Sequence, residues 1–156
     1  MKLFLISFAL VSNLVLIDAV TKELAIGYLS LRGAGPVTVI AGLFNLAYVE
    51  NRGCAWGMFQ GQVWPLAIFG VLALAFLIWK RKSVFGVGKI NFIAEILLYS
   101  GIIGNLIDRV VRGYVVDMLD FHWGAHHFPC FNLADSFITV AAVLLIFTQS
   151  KSKAEK

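Results

Sequence analysis

Charge is scarce in this chain of 156 residues: 14% of them are charged and 60% hydrophobic, with a mean hydropathy of +0.84. A soluble domain carries about 25% charged residues. So little polar surface excludes a chain that faces water on all sides. Cysteine is limited to Cys54 and Cys130, too few for a disulfide framework or a cysteine zinc site. No nucleotide loop, cofactor motif or HExxH pattern occurs. The net charge of +4 sits in short clusters beside apolar runs, where topology signals are expected, and does not point to nucleic acid.

What is present is four long apolar runs. They predict one polytopic membrane domain over 1–156, all-α, with helices at about 3–20, 63–79, 90–108 and 131–148. The first run resembles a signal peptide, but no small-x-small cleavage site follows it, so a retained helix is expected. Between helices one and two, Gly35, Pro36 and Gly42 interrupt any helix, while Val37–Ile40 and Leu43–Val49 favour strand. A small β-rich lobe over about 33–60 should therefore rest on the membrane surface. The connection over about 109–130 should lie on the same outer side.

The basic residues set the orientation. Lys2, Lys80, Arg81, Lys82, Lys89, Lys151, Lys153 and Lys156 fall on one side, against Lys22, Arg32, Arg52, Arg109 and Arg112 on the other. The positive-inside rule then puts both termini in the cytoplasm, and the lobe and connection outside.

The stretch from Gly104 to Ser136, GNLIDRVVRGYVVDMLDFHWGAHHFPCFNLADS, holds four of the nine acidic residues, Asp108, Asp117, Asp120 and Asp135. Ionisable groups in or beside hydrocarbon are costly and are kept for a pathway, a partner or a reaction. Asp117 and Asp135 are the candidate catalytic pair. Two close carboxylates cannot both ionise comfortably, so one stays protonated while the other is basic. Such a pair activates water and protonates a leaving nitrogen. Asp120 with Asp135 is the competing arrangement, and periodicity leaves it open. Asn105, Asp108 and Arg109 read as a structural network closing helix three, and Asp18 can pair with Lys22 four residues on. Glu95, about 9 Å inside the third helix, either snorkels or bonds a neighbour. His122, His126 and His127 read as an interfacial loop, and no metal is expected. A proton-coupled carrier and a purely structural membrane subunit are the rival classes.

GNLIDRVVRGYVVDMLDF and FPCFNLADS, in order with Asp18 to Lys22 and NRGCAWG at Asn51 to Gly57, resemble the bacterial lipoprotein signal peptidases, or signal peptidases II. The resemblance covers nearly the whole chain and implies an intramembrane aspartyl endopeptidase of the bacterial inner membrane. It places the catalytic aspartates on Asp117 and Asp135. Supporting or substrate-binding roles fall on Asp18, Lys22, Asn51, Gly53, Asn105, Asp108, Arg109, Asn132 and Ala134. The implied substrate is a diacylglyceryl-modified prolipoprotein, cut just before the lipid-bearing cysteine without metal or organic cofactor. The implied enzyme is a monomer among membrane lipids. Cys54 and Cys130 depart from the family's usual pattern. They read as free thiols, and a bond between them would need Cα atoms within about 7 Å.

Overall fold

The computed structural model describes residues 2–30 and 35–154, without the side chains of 149–154. Arg32, Gly33 at the start of the expected lobe, Lys156, and the Lys151 and Lys153 side chains lie outside the described residues. The helices are α1 (Lys2–Ala25), α2 (Val63–Trp79), the short α3 (Arg81–Phe85), α4 (Lys89–Val111) and α5 (Leu133–Ala154). The first, with the π turn that continues it, and α4 are long and apolar enough to cross a membrane. Shorter apolar helices occupy Val63–Trp79 and Leu133–Thr148. A small antiparallel sheet completes an all-α membrane protein.

Polarity is inverted relative to a water-soluble fold. Phe4, Phe8, Phe69, Leu72 and Ile146 are exposed, whereas Asp18, Lys22, Glu95, Ser100, Asn105, Asp108 and Asn132 are buried. Lipid is as apolar as these outer side chains, so helix association rests on close packing and interhelical hydrogen bonds. The central helix is α4, which packs against α1, α2 and α5. Its small residues permit the approach. A Cβ added at Gly104 would stand 2.6 Å from Asp18 Oδ2 and 3.2 Å from the Ala134 methyl. At Gly101 it would run into the Ala134 carbonyl, and into Ile138 at 2.6 Å.

The sheet has the order β1 (Val37–Ile40), β2 (Phe44–Asn51), β3 (Val115–Trp123) and β4 (His126–His127). Its central pairing sets Asn45 opposite Asp120, Val49 opposite Asp117 and Asn51 opposite Val115, with a register shift between Leu46 and Val49. Ala25, Val116 and Met118 form a buried cluster with Tyr48, Tyr114 and Leu119, which fastens the sheet to the C-terminal end of α1. Phe121 stacks on both Phe44, at 4.6 Å, and Phe131, at 5.9 Å. Phe131 also pairs with Leu119 through the backbone.

The elements differ from the sequence expectation at four places. The sequence pattern marks a connection where β3 lies, because burial is continuous from Val115 to Met118 and leaves no alternation to read. Helix α1 continues beyond position 20 because Asp18 and Lys22 turn inward to each other, so their charges do not mark an interface. The basic run after Trp79 contains α3. Finally, α5 begins at Leu133, since Phe131 is committed to the sheet.

Candidate active site

Strand β3 carries Asp117 inward, and the first turn of α5 carries Asp135. Both line one cavity of about 550 Å³ together with Asn51, Asn105 and Arg109. Three amides hold the carboxylates, and each has its oxygen engaged elsewhere. Asn51 Oδ1 accepts from Gly53 N at 2.9 Å, which turns Asn51 Nδ2 toward Asp117 Oδ2 at 2.9 Å. Asn132 Oδ1 accepts from Asp135 N at 2.9 Å, and its Nδ2 donates to Asp117 Oδ1 at 2.8 Å. Asn105 Oδ1 accepts from Lys22 at 3.1 Å and from Asn132 at 3.2 Å, leaving Nδ2 to donate to Asp135 Oδ1 at 2.7 Å. The other Asp135 oxygen accepts from Asn132 N at 3.3 Å. The sense of each amide follows from this network.

Behind Asn105 lies a saturated ion cluster. Lys22 is fully buried, and its ammonium reaches Asp18 Oδ2 at 2.8 Å, Asp108 Oδ2 at 3.0 Å and Asn105 Oδ1 at 3.1 Å. Three N–H donors meet three acceptors. Asp18 Oδ1 also accepts from Ala134 N at 2.9 Å, joining α1 to α5, and Asp108 Oδ2 accepts from Val116 N at 3.1 Å, joining α4 to β3. Arg109 sends Nη2 to the Gly53 carbonyl at 3.1 Å, binding the loop after β2 to the cavity wall. All nine supporting residues named from the sequence thus lie within this network, Ala134 through its backbone and Gly53 at its edge. Arg112, to which the sequence pattern assigns no role, pairs with Glu23 and approaches Asp108 at 3.6 Å. It carried no signal beyond its charge.

Burial, and then the nearby Asp135 charge, push the Asp117 carboxyl up to about 7 from an ordinary 3.8, against the bonds from Asn51 and Asn132 and the charge of Lys22. Asp120 behaves differently. Burial would raise it, but bonds from Asn45 at 2.9 Å and His127 at 2.6 Å hold it below the usual carboxylate value. Asp120 faces Asn45 and His127 and does not line the cavity that Asp117 and Asp135 share. Stacking brings His122 and His127 together, with ring centroids 4.8 Å apart. Among the described residues no three His, Cys, Asp or Glu groups gather as a metal site. Cys54 and Cys130 are free thiols that line the Asp117 cavity. Burial, followed by the charges of Asp117 and Asp120, pushes the Cys130 thiol up to about 12, so it is held as the unreactive thiol.

A family model described as "Signal peptidase (SPase) II" matches residues 10–151 of the chain. The chain belongs to the signal peptidase II family. It is 43% identical over 136 residues to the lipoprotein signal peptidase of Fusobacterium nucleatum, spanning 85% of this chain and 79% of that one. Identity to the lipoprotein signal peptidase of Burkholderia cenocepacia is 42% over 142 residues, covering 86% and 81%. A bacterial membrane enzyme solved by the in meso method at 2.3 Å superposes with a TM-score of 0.84 at 31% identity, over 96% of this chain and 90% of that one. A second, solved at 1.9 Å, gives 0.73 at 30% identity, over 92% and 91%. As a signal peptidase II the protein is an aspartic peptidase of the bacterial inner membrane that processes lipoprotein precursors.

Proposed function

We propose that Asp117 and Asp135 are the catalytic pair and that they cut a diacylglyceryl-modified prolipoprotein immediately before its lipid-bearing cysteine. The observation that carries this reading is the shared cavity: two carboxylates, each accepting two N–H bonds, open into one space of about 550 Å³. The pair holds one proton, because two ionised carboxylates sharing a buried site repel each other. That proton belongs to the coupled pair and not to a fixed member. The ionised carboxylate takes a proton from water as the water oxygen bonds to the scissile carbonyl carbon. The protonated partner hydrogen-bonds the developing oxyanion. As the tetrahedral centre collapses, a proton passes to the leaving nitrogen and the C–N bond breaks. An acid and an amine are released, and the pair again holds one proton.

The surrounding elements suit this task. The β2 end and the Pro129–Cys130 segment flank a smaller space of about 160 Å³ that reaches Asp117, an approach for an extended peptide. An apolar cavity of about 980 Å³ between α2, α4 and α5 reaches Asp135, so acyl chains remain in an apolar setting while the peptide is held by hydrogen bonds. In this reading four helices span the bilayer, and Trp64 and Trp79 anchor the interfaces of α2. Both termini are cytoplasmic, the site lies toward the extracytoplasmic face, and one chain suffices. The test is incubation of the purified protein with prolipoprotein, with and without the diacylglyceryl group, and mass measurement of the products. Cleavage just before the modified cysteine, absent without the lipid, is expected. Equal cleavage of both substrates would remove the lipid requirement.

A further inference from the structure

A second concave site lies far from the dyad, at the end of the bundle that carries the basic run. Helices α1 and α2 both pack on α4 and leave between them a groove of about 430 Å³. Its walls are apolar, with Phe4, Phe8 and Val11 on one side, Leu74 and Ile78 on the other and Ile103 at the base. One end is polar. There Arg81 grips Glu95 through Nε and Nη2, the second bond measuring 2.8 Å. The Glu95 side chain is 5% exposed and that of Arg81 46% exposed. The guanidinium therefore has one edge neutralised inside the bundle and another open at the groove's end. Among the described residues no hydrogen bond occupies Arg81 Nη1. Beside Glu95, the buried Tyr99 hydroxyl also lacks a hydrogen bond of ordinary geometry. Phe85 holds the Tyr99 ring in place by edge contact at 5.7 Å.

We propose that this groove binds one acyl chain of an anionic phospholipid, with the lipid phosphodiester on the open edge of Arg81. The match is one of shape and charge together. An amphiphile with a long apolar portion and a single anionic end fits a groove that is apolar along its length and cationic at one end. Since the Arg81–Glu95 pair is neutral overall, the net attraction comes from the exposed Lys80 and Lys82 beside it and Lys2 at the start of α1. Basic pockets between membrane helices hold anionic headgroups for this reason. With the topology proposed above the lipid would come from the cytoplasmic leaflet; the binding itself does not depend on that orientation.

Native mass spectrometry of the purified protein, titrated with phosphatidylglycerol or phosphatidylcholine of the same acyl chains, tests the site without reference to peptidase activity. The wild-type protein should retain one phosphatidylglycerol in preference to phosphatidylcholine. Ser7 lines the groove, and its hydroxyl bonds the Leu3 carbonyl of its own helix, at 3.0 Å. Ser7→Phe should fill the space and lower phosphatidylglycerol retention about tenfold with helix content unchanged. The double variant Lys80→Gln/Lys82→Gln should keep lipid binding but reduce the preference for the anionic headgroup by about fivefold or more. Arg81→Gln alone strands a buried carboxylate and is expected to misfold. Arg81→Gln/Glu95→Gln removes both charges together and should fold but retain less of either lipid, since both carry the phosphodiester, while the preference supplied by the lysines persists. Equal retention of the two lipids by wild type, unchanged retention in folded Ser7→Phe, or a dimer that loses the groove to a second copy would each overturn the proposal.

Discussion

Two pairs of carboxylates share the interior of this protein, and their partners divide them. Asp18 and Asp108 are 1% and 3% exposed, and both contact the Lys22 ammonium. Asp117 is as deeply buried, at 1%, yet among the described residues neither it nor Asp135 has a cation within ion-pair distance. Their donors are neutral amides, and a cavity opens on both. Burial alone therefore does not make a reactive acid. The first pair is matched by Lys22 and, at 3.6 Å from Asp108, by Arg112, and its contacts join helices. The second opens on a cavity without a cation at hand, because the Lys22 charge is spent one layer behind, on Asp18 and Asp108.

The largest effect should come from breaking the closed pair. Lys22→Met leaves Asp18 buried without a cation and Asp108 with only Arg112 at 3.6 Å, a loss of about 3–5 kcal/mol. The folded fraction in detergent, followed by thermal unfolding, should collapse. A variant that melts like wild type would show that the cluster is not what joins α1, α4 and α5.

A smaller effect sharpens the open pair. Asn51→Ala removes one N–H bond to Asp117 from the lobe side without touching the ion cluster. Turnover should fall by about tenfold or more, with the unfolding temperature nearly unchanged. That bond lowers the Asp117 value, so its loss should move the alkaline limb of the pH–rate profile upward. A downward movement would contradict the assignment.

The mildest effect concerns stability and pH. Asp117 titrates near 7 in the folded protein against an ordinary 3.8, so the folded state binds the proton more tightly than the unfolded chain. Its contribution to stability is complete below the ordinary value and is lost as pH rises toward 7. Asp117→Asn should consequently raise the unfolding temperature at pH 8 relative to wild type, and the gain should shrink toward pH 4. An equal gain at both values would mean that ionisation of this group is not the cause.

Much of this arrangement was legible in the residues, but not all for the same reason. The apolar runs disclose the helices because a bilayer demands about 20 apolar residues in succession, and the strand-favouring residue types of Val37–Ile40 and Leu43–Val49 disclose the first two strands. That Asp117 and Asp135 approach each other could not be read from spacing, since they stand 18 positions apart, one on a strand and the other on a helix. Motif order supplied that pairing through family resemblance. The partner of Lys22 four residues earlier could be anticipated from helix geometry, whereas Asn105, 83 residues away, could not. The same holds for Arg81 and Glu95. They lie 14 residues apart on α3 and α4, and no local pattern records that the chain turns back between them. Local periodicity reports which way a side chain faces, and only the packed helices show what it meets there.

The most direct measurement is the cleavage rate of a diacylglyceryl-modified prolipoprotein by wild type, Asp117→Asn, Asp135→Asn and Asp120→Asn, each checked for membrane insertion and folding. The first two variants should be folded and lose turnover by about 10³-fold or more, while Asp120→Asn, whose carboxylate bonds Asn45 and His127 outside the cavity, keeps most of its rate. Near wild-type cleavage by folded Asp117→Asn or Asp135→Asn would contradict the two-aspartate site.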